Sequence, residues 1–317
     1  MATITSPAPE ASRASAERAL TGGKLDLTGR AFTLALQLSL LISILILGVL
    51  VWDVVDTGSS VLAERLGDFL TGTMKSQADT SGLAQGIRGT FWIGVFTVVL
   101  AFPIGISAAI YLEEYATHGR LTRFIDLNIR NLAGVPSIVY GIVGLTIFVK
   151  AMQSLTGPES NGQSVVSAGL TLAILVLPIV IITAAEAIRA VPQGLREAGY
   201  GVGATRWEVI RHHVLPYAAP GILTGTVLAL ARALGEAAPL IMVGAASGFL
   251  TGGTSYELGS LQDRFTALPQ IIATWAGRPV GEWESVTYAA IAVLLVIVLI
   301  ANAAAILLRN RFEKRRA

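Results

Sequence analysis

Long apolar runs, separated by short charged gaps, dominate the pattern of this chain. Between Arg30 and Asp53 there are 22 uncharged residues. At a rise of about 1.5 Å per residue, a helix of that length crosses the ~30 Å hydrocarbon core of a bilayer. Five further segments resemble it, at 89–112, 131–149, 165–185, 217–243 and 285–308. The pattern therefore predicts an all-α membrane protein with six transmembrane helices between residues 31 and 308.

The amino-acid composition is that of a membrane protein. The 317 residues are 53% hydrophobic and 14% charged, with a mean hydropathy of +0.65, outside the usual balance of soluble domains. Cysteine is absent, which removes disulfides, thiol nucleophiles and cysteine metal sites from consideration. The net charge of +2 is too small to indicate nucleic-acid binding, and we predict no metal site.

Lys and Arg residues cluster in alternate gaps between the apolar segments. Sixteen of the 23 lie in segments 1–30, 112–130, 188–216 and 309–317, and only six lie in the three gaps between them. Cytoplasmic loops carry this excess, so we expect both termini in the cytoplasm. Residues 1–30, rich in Ala, Ser and Thr, are predicted to be a disordered cytoplasmic tail, and 309–317 a basic cytoplasmic tail.

Two of the outer gaps contain apolar residues at helical spacing. They allow two interpretations: helices that lie along the membrane surface and seal the protein against lipid, or helices that meet an external partner. The residues are Leu62, Leu66, Phe69 and Leu70 in the first gap, and Leu261, Phe265, Leu268 and Ile272 in the last.

The cytoplasmic segment 187–216 is too long for a turn and too patterned for disorder. Pro192 ends the preceding membrane helix, and glycines that include Gly203 permit a sharp bend. Thr205 and Glu208 fit a capping box, in which each side chain bonds a free backbone N–H at the start of a helix. We therefore predict two short helices, the second starting near Thr205.

The second of these helices has one apolar face. Trp207, Ile210 and Val214 share it, and Pro216 opens the next membrane helix. The result is a compact structure of residues 187–216 that projects into the cytoplasm, here called the cytoplasmic knob. An ordinary amphipathic intracellular loop is the alternative interpretation.

The cytoplasmic knob resembles the EAA loop of the type I ABC-importer permease family, EAA-x3-G-x9-I-x-LP. In this chain Gly199 replaces the second Ala of the motif, and His213 replaces the Ile. In that family the loop forms a coupling helix, which sits in a groove of the partner ATPase and transmits its closure to the membrane helices. The resemblance assigns this coupling role to Glu197, Ala198, Gly199, Gly203, Leu215 and Pro216.

Two charged residues interrupt the fifth apolar segment. Arg232 is about 15 residues into it, near the middle of the membrane, where a cation without a partner costs at least ~2.5–3.5 kcal/mol. Glu236 follows four residues later, so the two can pair. The planar guanidinium suits a tetrahedral oxyanion because two N–H groups bond two oxygens at once. The pair either lines a translocation path or locks this helix to a neighbour.

Further segments resemble the PstA-type permeases of bacterial phosphate importers, from about residue 86 to 316. They are SAAIYLEEYA (107–116), RNLAGVPSIVYGIVGL (130–145), ARALGEAAPL (231–240) and TWAGRP. The resemblance implies a core permease unit at about 86–308, phosphate passage beside Arg232 and Glu236, and location in the bacterial plasma membrane. Pro136 is expected to bend the third helix. The implied partners are a PstC-like second permease, two copies of an ATP-binding subunit, an extracytoplasmic phosphate-binding protein and membrane lipid.

The chain contains no GxxxxGK[ST] sequence, so we expect ATP to bind a partner subunit. We accordingly predict a transport subunit that is not an enzyme and has no cofactor of its own. A permease for molybdate, sulfate or phosphonate shares the EAA loop and remains an alternative. An ion-coupled secondary transporter or a channel is the alternative from another class. Glu113 and Glu114 are predicted to form a solvated boundary at the end of the second helix.

Overall fold

The computed structural model describes residues 27–117, 119–154, 160–245, 261–279 and 281–313. Within these ranges the chain is helical and contains no strand. The helices are α1 Leu27–Glu64, α2 Leu66–Thr71, α3 Ala84–Ile110, α4 Arg120–Ala133, α5 Ser137–Met152, α6 Val165–Arg189, α7 Gln193–Gly201, α8 Arg206–Gly235, α9 Ala238–Met242, α10 Leu268–Ala276 and α11 Glu284–Glu313. The predicted all-α class is confirmed.

The chain forms two compact units that divide after Asp53. The described part of the first unit is an apolar length of α1 with nearly every side chain exposed, as expected of a helix in lipid. Helix α1 begins at Leu27, inside the predicted tail, and continues past the expected end of the first span to Glu64. The remainder of the predicted disordered tail, 1–26, lies outside the described residues.

Within the described ranges, five helices are long and apolar enough to cross a membrane: α1, α3, α6, α8 and α11. The sixth predicted span is a broken pair, because α4 and α5 meet at an angle of 104°. The expectation of one helix over 131–149 is therefore wrong, since 131–133 belong to α4 and the apolar helix starts at Ser137. Counted as one span, the pair completes the predicted six.

The fifth apolar segment is also interrupted, against the expectation of one helix over 217–243. Helix α8 ends at Gly235, Glu236 is extended, and the short α9 follows. Pro239 explains the break, because proline fits the first turn of a helix but clashes in an interior. At its other end α8 runs through Pro216 without a break. A π-helical turn at Ile210–Val214 precedes this proline and accommodates the irregularity that the proline introduces into the helix.

The ends of the second unit also differ from the sequence prediction. Helix α11 continues to Glu313, so the first part of the predicted basic tail is helical, and 314–317 lie outside the described residues. Phe69, Phe265 and Leu268 were expected either at a membrane surface or against an external partner, but all three are fully buried within this chain. Phe69 packs against Trp275 with ring centroids 6.5 Å apart, because α2 and α10 share one core.

Helices α6 and α8 run antiparallel in close contact. A Cβ at Gly221 would lie 2.8 Å from the Cβ of Ala187, and a Cβ at Gly225 would overlap Thr183. Small residues of this kind let membrane helices approach closely. The same register places Arg232 level with Val176, which is near the middle of α6.

We expect Gly225→Ala to destabilise the protein by about 1–3 kcal/mol, because the new methyl group overpacks the α6–α8 contact. Rotation of the Thr183 hydroxyl cannot relieve the overlap, since it also involves Thr183 Cβ. Thermal unfolding of the purified chain in detergent measures the effect. Gly48→Ala is the control, because no atom lies within 4 Å of a Cβ at that position. Equal melting temperatures for the two variants would contradict the close packing.

Candidate translocation and coupling sites

The cytoplasmic knob consists of α7, a turn at Gly203 and the first turns of α8. Gly203 has φ +84°, a conformation that glycine adopts without strain. Glu208 accepts a hydrogen bond from the Thr205 N–H at 2.8 Å, and Thr205 Oγ1 accepts one from the Glu208 N–H at 3.4 Å. The predicted capping box is thus confirmed. The hydrogen bonds from Thr205, the backbone one first, hold the pKa of the Glu208 carboxyl below its ordinary value.

The two departures from the EAA motif are neighbours in space. Gly199 is buried, and a Cβ there would lie 2.8 Å from Val209 Cγ2 and 3.5 Å from the His213 ring. A glycine at 199 therefore leaves room for Val209, whereas the distance to the His213 ring would be an ordinary van der Waals contact. Of the other motif residues, Glu197, Ala198 and Pro216 are exposed and Leu215 is half-buried.

The outer surface of the cytoplasmic knob carries apolar side chains that are uncovered within the described part of the chain, among exposed charged residues such as Glu197 and Arg211. Tyr200, Val202 and Trp207 are exposed on it, Trp207 to 51%. The expectation that Trp207 shares a face with Ile210 and Val214 is wrong in one respect. Those two are fully buried against the ends of the membrane helices, whereas Trp207 lies one turn nearer the tip. An exposed aromatic flanked by apolar residues is typical of a protein-binding surface.

A buried ion pair joins the cytoplasmic knob to the end of the second membrane helix. Arg196 donates to Glu114 Oε1 from Nε at 3.1 Å and from Nη2 at 2.9 Å. It also donates to the carbonyls of Ile188 and Val191. The side chains are 13% and 5% exposed, respectively. The prediction of a solvated boundary is wrong for Glu114, because α7 folds over it.

The residues on either side of Glu114 also contact arginine side chains. Glu113 accepts hydrogen bonds from Arg189, one of them from Nε at 3.2 Å. The guanidinium of Arg206 lies 4.9 Å from the centroid of the Tyr115 ring, within the range of a cation–π contact. Three consecutive residues at the end of this helix are therefore each bound by an arginine, one from the end of α6, one from α7 and one from the start of α8.

Glu114→Gln is expected to destabilise the protein by about 3–5 kcal/mol, because it leaves the Arg196 charge buried without its counter-ion. Glu113→Gln is the matched control and should cost at most about 1 kcal/mol, since Arg189 is largely exposed. Unfolding in detergent, together with the yield in membranes, measures both. Similar losses in the two variants would show that burial does not distinguish the two pairs.

Arg232 and Glu236 meet at the point where α8 ends. Arg232 Nε lies 3.3 Å from Glu236 Oε1. The pair was expected along one helix face, but Glu236 is extended and follows the last helical residue. The Arg232 side chain is 44% exposed, and within the described residues its hydrogen bond to Glu236 uses Nε alone. Both Nη groups therefore remain available to a ligand.

Helix α5 lies beside this site. Its first residue follows Pro136, which stands at the 104° break, so this proline separates two helices instead of bending one. A Cβ at Gly141 would lie 2.7 Å from Pro239 Cα, so α9 packs directly on α5. Tyr140, also on α5, is within electrostatic range of Arg232. The structure thus brings the two interrupted spans together around the arginine.

An arginine level with the middle of the bundle, two interrupted membrane helices around it and a helical cytoplasmic knob are the features of a transport permease. The chain belongs to the family of binding-protein-dependent transport system inner membrane components, whose pattern matches residues 101–316. It is therefore a multi-pass membrane protein.

Two of the similar proteins are named as phosphate transport permeases. The chain is 33% identical over 236 residues to the phosphate transport system permease protein PstA 1 of Mycobacterium tuberculosis, covering 74% of this chain and 73% of the relative. It is 34% identical over 238 residues to PstA of Yersinia pestis, covering 74% of each chain.

Two solved structures share the fold. An inward-facing methionine ABC transporter, MetNI, matches with a TM-score of 0.54 and 19% identity over 72% of this chain and 96% of the other. A bacterial alginate ABC transporter in complex with a pentasaccharide-bound periplasmic protein matches with a TM-score of 0.54 and 20% identity over 88% and 94%. The predicted ABC-importer permease fold is confirmed.

Proposed function

We propose that this chain is the permease subunit of an ATP-driven phosphate importer in the bacterial inner membrane. The PstA relatives carry phosphate transport in their names, and they match about three quarters of the chain. The chain would form half of the translocation path, and a second, PstC-like permease would form the other half. It conducts and couples but breaks no bond, and ATP binds to two copies of a partner subunit.

The phosphate assignment rests on these relatives, and the geometry of Arg232 is the observation that supports an oxyanion path. Its Nε is held by Glu236, and its two Nη groups have no hydrogen-bond partner among the residues that the structure describes. A guanidinium without a counter-ion would bind a dehydrated anion tightly, whereas the carboxylate lowers the net charge of the site. Conduction needs this balance, because an ion must be attracted into a site and still leave it. Arg232 and Glu236 are therefore proposed to line the path of the anion.

Helix α8 supplies the coupling. One continuous helix carries Trp207 near its cytoplasmic start and Arg232 in its last turn. A partner ATPase that docks on the exposed surface of the cytoplasmic knob would therefore move the anion site through one stiff element. The six EAA-loop residues, Glu197, Ala198, Gly199, Gly203, Leu215 and Pro216, are proposed to shape this docking surface. Such a surface favours an importer over a channel or an ion-coupled transporter, which needs no partner there.

Both termini are proposed to be cytoplasmic, because Lys and Arg concentrate in the segments on that side. An extracytoplasmic binding protein would then deliver phosphate to the opposite face. A guanidinium alone does not distinguish phosphate from sulfate, molybdate or phosphonate, so a permease for one of these oxyanions is the second candidate.

Arg232→Gln should abolish phosphate uptake by the assembled importer, while the chain remains folded in the membrane with its partners. Arg232→Lys should retain only part of the uptake, because an ammonium keeps the charge but loses the planar fork. Arg311→Gln, at an exposed position far along α11, is the control. Labelled phosphate, sulfate and molybdate are each offered. Normal phosphate uptake by Arg232→Gln would exclude the proposed role, and uptake of another oxyanion alone would replace the substrate.

Trp207→Ala should weaken binding of the ATPase subunit by about 30-fold, which corresponds to the ~2 kcal/mol of an interface hot spot. The affinity of the purified ATP-binding subunit for the full-length permease measures the effect. Tyr217→Ala provides the comparison, since this exposed aromatic lies about three turns further along α8. If both variants bind like the unmodified chain, the cytoplasmic knob is not the docking site.

A further inference from the structure

Helix α4 has no role in the path or in the coupling described above. It makes an angle of 104° with α5, so it runs nearly parallel to the membrane plane when α5 crosses the membrane. Helix α4 lies at the same depth as the cytoplasmic ends of the membrane helices, because Arg130 on α4 lies 3.7 Å from Glu186 near the end of α6. The helix therefore lies at the cytoplasmic boundary of the membrane.

One flank of α4 is apolar and exposed. At about 100° per residue, Leu121, Phe124, Ile125 and Leu132 fall within a flank about 100° wide. All four are exposed in the structure, Leu121 to 70% and Phe124 to 63%. No residue of α4 is buried, and the half-covered positions fall along a separate line that faces α6.

The opposite flank of α4 is basic. Arg120, Arg123 and Arg130 lie there, together with the exposed Leu127. Each flank therefore has one exception, since Asn128 is exposed on the apolar flank. Arg120 and Arg123 also line an open cavity of about 530 Å³ together with Glu113 and Arg189. Asp126 also lines this cavity and pairs with Arg130. Arginines therefore outnumber carboxylates around it.

We propose that α4 is an interfacial helix that binds the anionic phospholipids of the cytoplasmic leaflet. An apolar flank combined with a basic flank is the pattern of helices that lie in the plane of a bilayer. The apolar flank enters the acyl region, and Arg120 and Arg123 bond lipid phosphates, since guanidinium groups bind phosphate oxygens in pairs. Charge complementarity favours anionic lipid over a second protein as the occupant. This inference does not depend on which solute the chain transports.

The absence of cysteine makes the depth of α4 directly measurable. Leu121→Cys and Arg123→Cys are two residues apart and thus on opposite flanks, and each receives a nitroxide spin label in the full-length chain. In bilayers that contain phosphatidylglycerol, the label at 121 should be accessible to oxygen and shielded from a water-soluble nickel reagent. The label at 123 should show the reverse.

A lipid-binding measurement tests the basic flank. Native mass spectrometry of the full-length chain should show phosphatidylglycerol bound about 30-fold more weakly to Arg120→Gln/Arg123→Gln, since each arginine near an anionic surface contributes about a factor of five. Lys75→Gln, at an exposed position in the outer gap 53–88, is the control. A water-accessible label at 121 would overturn the proposal, and so would one shielded from both reagents, which would indicate a protein partner. Equal lipid binding by the double variant would also overturn it.

Discussion

The absence of water in the hydrocarbon core is the constraint on which this structure depends. Each backbone N–H and C=O at that depth must bond within a helix or be covered by other protein. The exposed length of α1 accordingly has no break, whereas the interruption after Gly235 lies where α9 packs on α5. Gly141 makes that packing possible, because any side chain there would meet Pro239. The break in turn lets Glu236 leave the helix and hold Arg232, so the proposed anion site lies at a partly exposed, irregular backbone beside the contact of α9 with α5.

Local features of the sequence were sufficient to predict four of the six spans as single helices, and also the start of α8. Hydropathy depends on runs of neighbouring residues, and the capping box of Thr205 and Glu208 is complete within four positions. The different burial of Glu113 and Glu114 was not predictable in this way, because the two residues are adjacent and chemically identical. Only the packing of α7 buries the second and leaves the first at the edge. The path of α4 was missed for a related reason: its last residues join the apolar run of the next helix, which conceals the turn at Pro136.

Three π-helical turns occur within the described residues, and each lies at a junction. One ends the second membrane helix at Tyr111–Tyr115, where arginines bind Glu113, Glu114 and Tyr115. Another, Gly144–Val149, continues α5 beyond the packing site of α9, and the third leads α8 past Pro216. A π turn inserts one residue into a helix and shifts the faces that follow it.

The proposed coupling surface and the proposed anion site share structural elements in this chain. Because of this shared geometry, the two functions are difficult to separate. Helix α8 has 30 residues and therefore extends about 45 Å from the cytoplasmic knob to the proposed anion site. Because the helix has no break along that length, a displacement of its start must reach Arg232 or be absorbed by bending. The Arg196–Glu114 pair binds α7 to the second membrane helix, so the same displacement also acts on a second wall of the bundle. A buried charge pair suits this connection better than an apolar contact. If α7 slid along the second membrane helix, the pair would separate and leave an unpaired charge in a low-dielectric environment. This cost opposes any movement of the knob that is independent of the helix end.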